Sequence, residues 1–449
     1  MSKTFRAWDV DQVWLLPPSL HDFVPPGHPA HLVRELVRTE LDLTAIVADY
    51  AEERGQPPYH PVMMVALLLY AYTQGLYASR RIAKACEERL DVMAVTGMQR
   101  PDFRTISEFR QRHRAALAPL FTQVLRLCQK AGLVTLGHVA LDGTKLAANA
   151  SKHKAMSYGR MKRAEAALAA EVAAEVAGWL AKAEVADAAD DAAHGPERRG
   201  DELPEWVADK QERRAKIRAA KAALEAEAKA APPPADAEPG PSTGMTDHGR
   251  PARARDGGPP ERAQRNFSDP DSRVLKTRDG FVQGYNGQLA VDAAHQIITA
   301  QRLTTNGSDQ DALVPLLDAT AAVLGRQPRE VSADAGFCRE SNLEALAARR
   351  IRGYLAPGRA AHGSADPSGR RRLQPGSRMA AMAAKLKRAG RRSRYRLRKQ
   401  TVEPVIGQIK HARGFRQFLL RGFSKAKDEW ALICTTHNLT KLLAARAAS

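Results

Sequence analysis

Three carboxylates stand where an acid could do chemistry: Asp142, Asp334 and Glu403. Asp142 follows the short run His138–Leu141 and Asp334 follows Glu330–Ala333, and both runs have the length and apolar content of a buried strand. Carboxylate oxygens are the ligands that hard cations such as Mg²⁺ take in proteins. Two such ions side by side can promote an in-line displacement at phosphorus. If the fold brings the three acids together, they predict a metal site for phosphoryl transfer.

Each acid also has a simpler interpretation when it is considered alone. Asp142-Gly143 is a strong short hairpin signal. Glu403 ends a stretch, beginning after Asp366, that is rich in Lys and Arg and contains no Asp or Glu. An acid in that position could merely complement the N-terminal dipole of a helix, an effect worth about 0.3–1 kcal/mol. The functional interpretation therefore depends on the elements that carry the acids.

Glu403 is predicted to lie on an amphipathic helix, because Val402, Ile406 and Ile409 recur at helical spacing. Pro404 fits such a helix only in its first turn, where a missing amide hydrogen breaks no hydrogen bond. Lys410 follows Glu403 by about two turns, so we expect the two side chains on one face of the helix.

The remaining acids belong to predicted elements whose order is typical of one mixed β-sheet flanked by helices. A strand with Asp142 is followed by two antiparallel strands, Gly284–Val291 and Gln296–Leu303, and then by a helix that Asp309 or Asp311 would cap. A strand ending at Asp334, a helix, a further strand and the helix with Glu403 complete the order. We expect Asp142 and Asp334 at the carboxyl ends of adjacent strands, where sites of open α/β sheets lie.

Composition favours a nucleic-acid partner. The 449-residue chain carries a formal charge of +19, with 69 Lys and Arg against 50 Asp and Glu. Such an excess favours a polyanion, with nucleic acid as the first candidate and a membrane surface as the second. The cysteines are far apart and form neither a disulfide framework nor a zinc-site pattern, which fits a reducing cytosol. They are Cys86, Cys128, Cys338 and Cys434.

A membrane anchor and a signal peptide are not predicted. The longest apolar run, Val62–Tyr72, is far shorter than the roughly 20 residues that span a bilayer, so it predicts a buried helix. Asp9 and Asp11 interrupt the apolar part of the N-terminus, which leaves no signal-peptide core. We therefore expect a cytoplasmic protein, associated with the nucleoid through its charge.

Residues 1–134 are predicted to form an all-helical, DNA-binding domain. The short helix Ser79–Arg89 presents Arg81 and Lys84 on its polar side. A second helix, predicted to begin at a capping box of Thr105 and Glu108 and to run to about Lys130, carries Arg110. Two helices joined by a short turn, the second rich in Arg, are compatible with a helix-turn-helix reader. The alternative is a plain helical bundle with a solvated basic face.

The rest of the chain divides into a core and an insertion. Residues 135–154 carry the first strand of the core, and residues 267–449 carry the remainder. Residues 155–266 are predicted to be an insertion of long exposed helices, followed by a Pro- and Gly-rich disordered linker. We expect the insertion to contain too few apolar residues for a core of its own.

Taken together, these motifs resemble the bacterial insertion-sequence DDE transposases, which have a ribonuclease-H-like catalytic core, and the subgroup with a helical N-terminal region in particular. The resemblance covers nearly the whole chain apart from the linker. The matching motifs are Thr105–Arg110, Val139–Lys145, Gly284–Gln288, Val331–Gly336, Tyr395 to Lys410, and Arg421-Gly422.

The resemblance implies a metal-binding triad of Asp142, Asp334 and Glu403, with two Mg²⁺ or Mn²⁺ ions as cofactors. It makes Arg398 and Lys410 basic partners that hold DNA near the third acid, and it puts Tyr395 in the tyrosine position of the family signature. In that signature the tyrosine and arginine lie one residue closer to the glutamate than Tyr395 and Arg398 do here.

The function implied is that of a transposase. It would bind double-stranded DNA, both the terminal inverted repeats of its element and the target. It would cut DNA strands at the repeats and join the cut ends to the target. The active form would be a homodimer or a larger assembly. The basic run that contains Arg391 and Arg392 is predicted to contact DNA. Two alternatives stay open: a domesticated DNA-binding regulator without catalysis, and a ribonuclease-H-like nuclease that cuts but never joins.

Overall fold

The computed structural model of the protein describes residues 19–50, 57–150, 155–174, 205–230, 258–277, 280–358 and 373–448. In these ranges the chain forms a mixed β-sheet with helices on both sides, preceded by a helical region. None of the helices in these ranges has the length and apolar content needed to cross a bilayer.

Helices make up the N-terminal region. In chain order they are α1 (Leu20–Phe23), α2 (Pro29–Thr39), α3 (Thr44–Val47), α4 (Pro61–Thr73), α5 (Ser79–Glu88), α6 (Leu90–Thr96), α7 (Phe103–Arg112), α8 (Arg114–Leu117) and α9 (Leu120–Lys130). The predicted buried helix is confirmed as α4, whose residues from Met64 to Tyr72 are all buried. Such a helix is apolar all round because other helices surround it.

The predicted start and length of the second basic helix are wrong. The N-cap of α7 is Asp102, whose carboxylate accepts hydrogen bonds from the amides of Arg104 and Thr105. Aspartate is among the strongest N-caps, and here it replaces the predicted capping box. The helix then ends at Arg112, and α8 and α9 continue as separate segments.

The sheet contains the predicted strands in the predicted order. The strands in the described ranges are β1 (His138–Ala147), β2 (Ala155–Ser157), β3 (Gln264–Asn266), β4 (Arg273–Thr277), β5 (Gly280–Asp292), β6 (Ile298–Thr304), β7 (Glu330–Ala333) and β8 (Arg352–Leu355). In the main sheet the order is β4-β5-β1-β7-β8, with β6 also paired to β5. This mixed order, with helices on both faces, confirms the ribonuclease-H-like fold.

Strand β1 is longer than predicted and makes no hairpin at Asp142-Gly143. It pairs in parallel with β7 from His138 to Leu141, and antiparallel with β5 along Val139–Ala147. The acid is therefore in mid-strand, at the point where the parallel pairing ends. Antiparallel pairing with β5, which continues to Ala147, outweighs the local turn preference of Asp-Gly, because that ladder satisfies the backbone groups facing β5.

Helices cover the sheet and join it to the N-terminal region. They are α12 (Leu313–Leu324), α13 (Glu340–Ala348), α14 (Arg378–Ala389), α15 (Leu397–Gly407) and α16 (Phe423–Ala448). Helix α16 packs on α4, α8 and α9 as well as on β6. Its side chains Trp430, Leu432, Ile433 and Leu439 are buried. One continuous apolar core therefore runs from the N-terminal helices through the sheet.

The insertion has a small core, contrary to expectation. Helix α10 (residues 158–174) packs beside α11 (Glu205–Ala230) and the two-stranded sheet of β2 and β3. Met161, Ile217 and Leu224 are buried between them. The few apolar residues of the insertion are enough for this core because they only have to fill the narrow contact between α10, α11 and the small sheet. Most of the predicted linker, residues 231–257, lies outside the described residues.

Candidate active site

One arginine connects two of the three predicted acids. The Arg398 guanidinium donates from Nη1 to Oδ2 of Asp142 at 2.6 Å and lies with Nη2 2.9 Å from Oε1 of Glu403. Asp334 directly follows β7, the strand beside β1, and its carboxylate accepts a hydrogen bond from the Gly336 amide at 2.9 Å. The fold thus gathers residues that are far apart in sequence at one edge of the sheet.

The two aspartates carry charge in a poorly hydrated place. Burial raises the pKa of Asp142 to about 7, although Arg398 acts to lower it and the nearby Asp334 raises it further. Burial also raises the pKa of Asp334, and the next largest cause is the negative charge of Asp309. Desolvation and like charges both oppose ionisation, so the site favours a cation close by.

The helix that carries Glu403 differs from the prediction. It begins at Leu397, so Pro404 lies in its interior rather than in its first turn. Proline there leaves the carbonyl of Gln400 without its helical donor. The side chain of Gln296, in the β5–β6 turn, donates to that carbonyl at 3.1 Å instead. A residue of the β5–β6 turn thus supplies the hydrogen bond that Pro404 cannot make.

Lys410 lies beyond that helix, in a π-helical turn over Gln408–Ala412. Its Nζ donates to Oγ1 of Thr144 at 3.1 Å and to the carbonyl of Lys145 at 2.8 Å. Burial lowers the pKa of the Lys410 ammonium group. The ammonium therefore sits against β1, two residues along the strand from Asp142.

Tyr395 lies in a 3-10 turn just before α15, and its ring centroid is 6.0 Å from the Arg398 guanidinium carbon. Burial raises the pKa of its hydroxyl. The preceding residue, Arg394, is 2.7 Å from the buried carboxylate of Glu330 at the start of β7. This ion pair ties the segment that carries Tyr395 and Arg398 to the sheet.

The side chains predicted to contact DNA fall into different environments. Arg81, Lys84 and Arg392 are exposed, and Lys84 pairs with Glu88 one helical turn on. The side chain of Arg391 lies outside the described residues.

The predicted DNA contact of Arg110 conflicts with its position. Arg110 is buried, and it donates to the Tyr72 hydroxyl, the Tyr77 carbonyl and the Ser79 hydroxyl. Its guanidinium links α7 to α4 and α5 because every partner comes from those helices or from the turn between them. Sequence alone could not separate this arginine from its exposed neighbours.

A fourth carboxylate close to the site was not predicted. Asp309 accepts hydrogen bonds at Oδ1 from the side-chain amides of Asn286 and Gln288, each at 2.7 Å. Its Oδ2 lies 3.8 Å from Nζ of Lys145. The expectation that Asp309 or Asp311 caps the next helix is wrong, because α12 begins at Leu313 without a side-chain cap.

These contacts define two faces of β1, because successive side chains of a strand point to opposite sides. The triad face holds Asp142 and Thr144, which contact Arg398 and Lys410. The amide face holds Gly143 and Lys145, against which Asp309, Asn286 and Gln288 lie. A sequence signal existed for the amide face: Asn286 and Gln288 are two polar residues at strand spacing in an otherwise buried strand.

The donor set suits a hard divalent cation, since carboxylate oxygens predominate and the cysteines of the described residues are all buried. In the ranges that the structure describes, no three His, Cys, Asp or Glu side chains are already arranged to hold one ion. Arg398 lies between Asp142 and Glu403 instead. The residues therefore fit a metal by chemistry and charge, and Asp142, Asp334 and Glu403 would be the ones to hold it, with Arg398 now supplying the positive charge between two of them.

Comparisons with known proteins give two matches to protein families. Residues 18–112 match the family described as a transposase domain (DUF772), and residues 370–443 match the family described as a transposase DDE domain. The second match includes Tyr395, Arg398, Glu403 and Lys410. Neither the curated proteins nor the solved structures that were compared with the chain match it significantly.

Proposed function

The chain is an insertion-sequence DDE transposase, and from that premise we propose that it binds the terminal inverted repeats of its element, cuts DNA there and joins the freed ends to target DNA. The observation that carries the proposal is the double contact of Arg398 with Asp142 and Glu403, which links carboxylates on two separate elements at one sheet edge. Asp334, directly after the adjacent strand β7, completes the set.

Asp142, Asp334 and Glu403 would hold the divalent ions that the family generally uses, two Mg²⁺ or Mn²⁺ in our proposal. When bound, such ions lower the pKa of a water or hydroxyl nucleophile and stabilise charge on the leaving oxygen. The three carboxylates supply oxygen ligands without competing soft donors. The burial of Asp142 and Asp334 limits the access of water and strengthens their attraction for a cation.

Arg398 and Lys410 would act on the DNA phosphate. In the structure described here Arg398 neutralises Asp142 and Glu403, so its guanidinium becomes available to a phosphate once those acids bind cations. Lys410 is held by Thr144 beside the same strand. Fixed cations near a phosphate stabilise negative charge that builds up on its oxygens during displacement. Tyr395 packs near the Arg398 guanidinium and would limit where it can move.

The N-terminal helices would hold the element's ends. Arg81 and Lys84 on α5 lie near the start of α7, where Arg80 and Arg104 flank the ring of Phe103 at 5.1 and 5.8 Å from its centroid. Lys and Arg contacts to phosphates release counterions, which makes binding depend steeply on salt. Arg392, exposed in the basic segment that precedes Tyr395 and Arg398, would contact DNA near the active site.

The proposed assembly is a homodimer or larger on paired element ends, in the cytoplasm and associated with the nucleoid. The division proposed for the chain is a DNA-binding region over residues 1–134, a catalytic core over 135–154 and 267–449, and an insertion over 155–266. Because α16 packs on both the N-terminal helices and the sheet, end binding and catalysis share one rigid support.

The test uses the full chain, duplex oligonucleotides that carry the element's ends, and Mg²⁺ or Mn²⁺. We expect end binding, cleavage that needs the metal, and joining of the cut 3′ end to a second duplex. Binding without any cleavage would indicate a domesticated regulator instead. Cleavage without joining, under conditions where both substrates are bound, would indicate a nuclease.

A further inference from the structure

The amide face of β1 contains a carboxylate for which the proposed triad has no role. Asp309 lies in the turn between β6 and α12, and its side chain is 14% exposed. It is close enough to interact electrostatically with both Asp142 and Asp334. A third half-buried negative charge in this cluster needs a physical explanation, because like charges at short range repel strongly where water is scarce.

Two buried amides orient this carboxylate. Asn286 and Gln288 are 0% and 1% exposed, and the nitrogen of each side chain donates to the same oxygen, Oδ1 of Asp309. The side-chain oxygens of both amides have no hydrogen-bond partner among the described residues. Buried polar groups are normally paired, so this pair of amides is placed for its nitrogens. They fix Oδ1 and leave Oδ2 to face other groups.

Two glycines make room for the carboxylate. A Cβ atom added to Gly143 would lie 2.7 Å from Cγ of Asp309, closer than any real contact of that kind. One added to Gly336 would lie 3.6 Å from Oδ2 of Asp309 and 3.1 Å from Oδ1 of Asp334. Asp309 therefore packs against the backbone that carries Asp142 on one side and Asp334 on the other.

A purely structural acceptor would not require a charge. An asparagine could accept the same two hydrogen bonds through its oxygen, and it would not repel the neighbouring acids. The negative charge of Asp309 is balanced in this structure by Lys145, whose Nζ also donates to the carbonyl of Gly307 at 2.7 Å. Lys145 thus neutralises a carboxylate on the amide face, as Arg398 does on the triad face.

We propose that Asp309 is a fourth carboxylate of the divalent-metal site, which presents Oδ2 beside Asp334 from the amide face of β1. Lys145 neutralises it while the metal is absent. This inference rests on the proposed function, because it assigns a further residue to the same site. Asn286, Gln288 and Gly143 are positioning residues, since they act through Asp309.

The test measures Mn²⁺ binding to the full chain by calorimetry, without DNA. Asp309→Asn should weaken Mn²⁺ binding by at least about 10- to 100-fold, the range already seen for losing a group that only supports a metal ligand. The matched control is Asp311→Asn, two residues on, whose exposed carboxylate pairs with Arg339. It should leave Mn²⁺ binding unchanged. Wild-type affinity in a folded Asp309→Asn protein would overturn the inference.

A second variant covers the case in which Asp309→Asn does not fold. Lys145→Gln removes the competing cation while keeping a donor for the Gly307 carbonyl. Because the ammonium then no longer opposes the metal, Mn²⁺ should bind several-fold more tightly. Unchanged or weaker binding by Lys145→Gln would also overturn the inference.

Two further variants separate this inference from the function itself. Asp142→Asn and Asp334→Asn should both weaken Mn²⁺ binding. If they do and Asp309→Asn does not, the triad stands and the fourth carboxylate fails. If no aspartate variant affects Mn²⁺ binding, the metal site of the proposed function fails as well.

Discussion

The two faces of β1 are alike in chemistry and different in how they are built. On the triad face, the cation that neutralises the carboxylates comes from α15, 256 residues after Asp142. On the amide face, the cation is Lys145 of β1 itself, and the carboxylate, Asp309, comes from the turn after β6. The charge partner on the triad face comes from a separate helix, whereas both charge partners on the amide face come from the sheet and its turns.

The difference indicates which face can respond to a ligand. On the amide face, two buried amides donate hydrogen bonds to Asp309, and the backbone at Gly143 lies directly against its carboxylate. Asp309 therefore has little freedom to move. Arg398 belongs to a segment that is attached to the sheet through the ion pair between Arg394 and Glu330. Its partner Glu403 is 42% exposed. We therefore expect the triad face to rearrange when metal and DNA bind, while the amide face stays fixed.

The largest effect is expected from Asp142→Asn. Loss of this carboxylate should reduce strand cleavage about a thousandfold or more, on the scale of removing a key group that stabilises transition-state charge. Binding of end-bearing duplex should stay within about twofold of wild type. Cleavage at a near wild-type rate by a folded Asp142→Asn protein would remove Asp142 from the site. Asp311→Asn serves as the control of equal charge change.

Arg398→Gln tests the triad face in metal-free buffer. Removing one partner of a buried ion pair costs about 3–5 kcal/mol when the other stays charged. The folded-state pKa of Asp142, about 7, is above its ordinary value, so its ionised form destabilises the fold as pH rises. The variant should therefore lose more stability at pH 8 than at pH 5, where Asp142 is protonated.

Thermal unfolding in EDTA at the two pH values measures this difference. Arg392→Gln is the control, because Arg392 is exposed in the same basic segment. An equal loss at both pH values would show that Arg398 stabilises the fold by packing and not by its charge.

Gly143→Ala tests the amide face. The added methyl group meets the Asp309 carboxylate, which two amides hold in place, so overpacking should cost about 1–3 kcal/mol. Gly137→Ala is the control, since the nearest atom to an added Cβ there is the Thr135 hydroxyl at 3.7 Å, an ordinary contact. Chemical denaturation of both variants gives the comparison. A Gly143→Ala protein as stable as Gly137→Ala would mean that Asp309 moves freely.

The smallest effect is expected from a residue on neither face. Glu429 of α16 is buried and accepts hydrogen bonds from the amides of Leu419 and Leu420. Burial raises its pKa to about 7. Because the folded-state pKa exceeds the unfolded one, stability falls as pH rises from about 4.5 to 7.

Glu429→Gln should flatten that part of the pH profile by a few degrees of melting temperature and leave Mn²⁺ binding unchanged. The measurement is thermal unfolding from pH 5 to 8 in EDTA. A change in Mn²⁺ affinity would contradict the assignment of the metal site to the two faces of β1.

The sequence by itself determined most of the elements. The apolar runs that became β1, β5, β6 and β7, and the all-round apolar helix α4, are local patterns whose length and residue types indicate the kind of element. The strand-final position of Asp334 and the basic surroundings of Glu403 were also visible, because they depend on neighbours in the chain.

Only the tertiary structure decided which polar residues meet. Asp309 looked like a helix cap and Arg110 like a DNA contact, yet one is held by Asn286 and Gln288 and the other is buried between helices. Pro404 lies inside its helix because Gln296, far away in sequence, satisfies the carbonyl that it leaves free. The partners of a buried polar group come from wherever the fold brings a donor or acceptor, so the local spacing of residues in the sequence does not predict them.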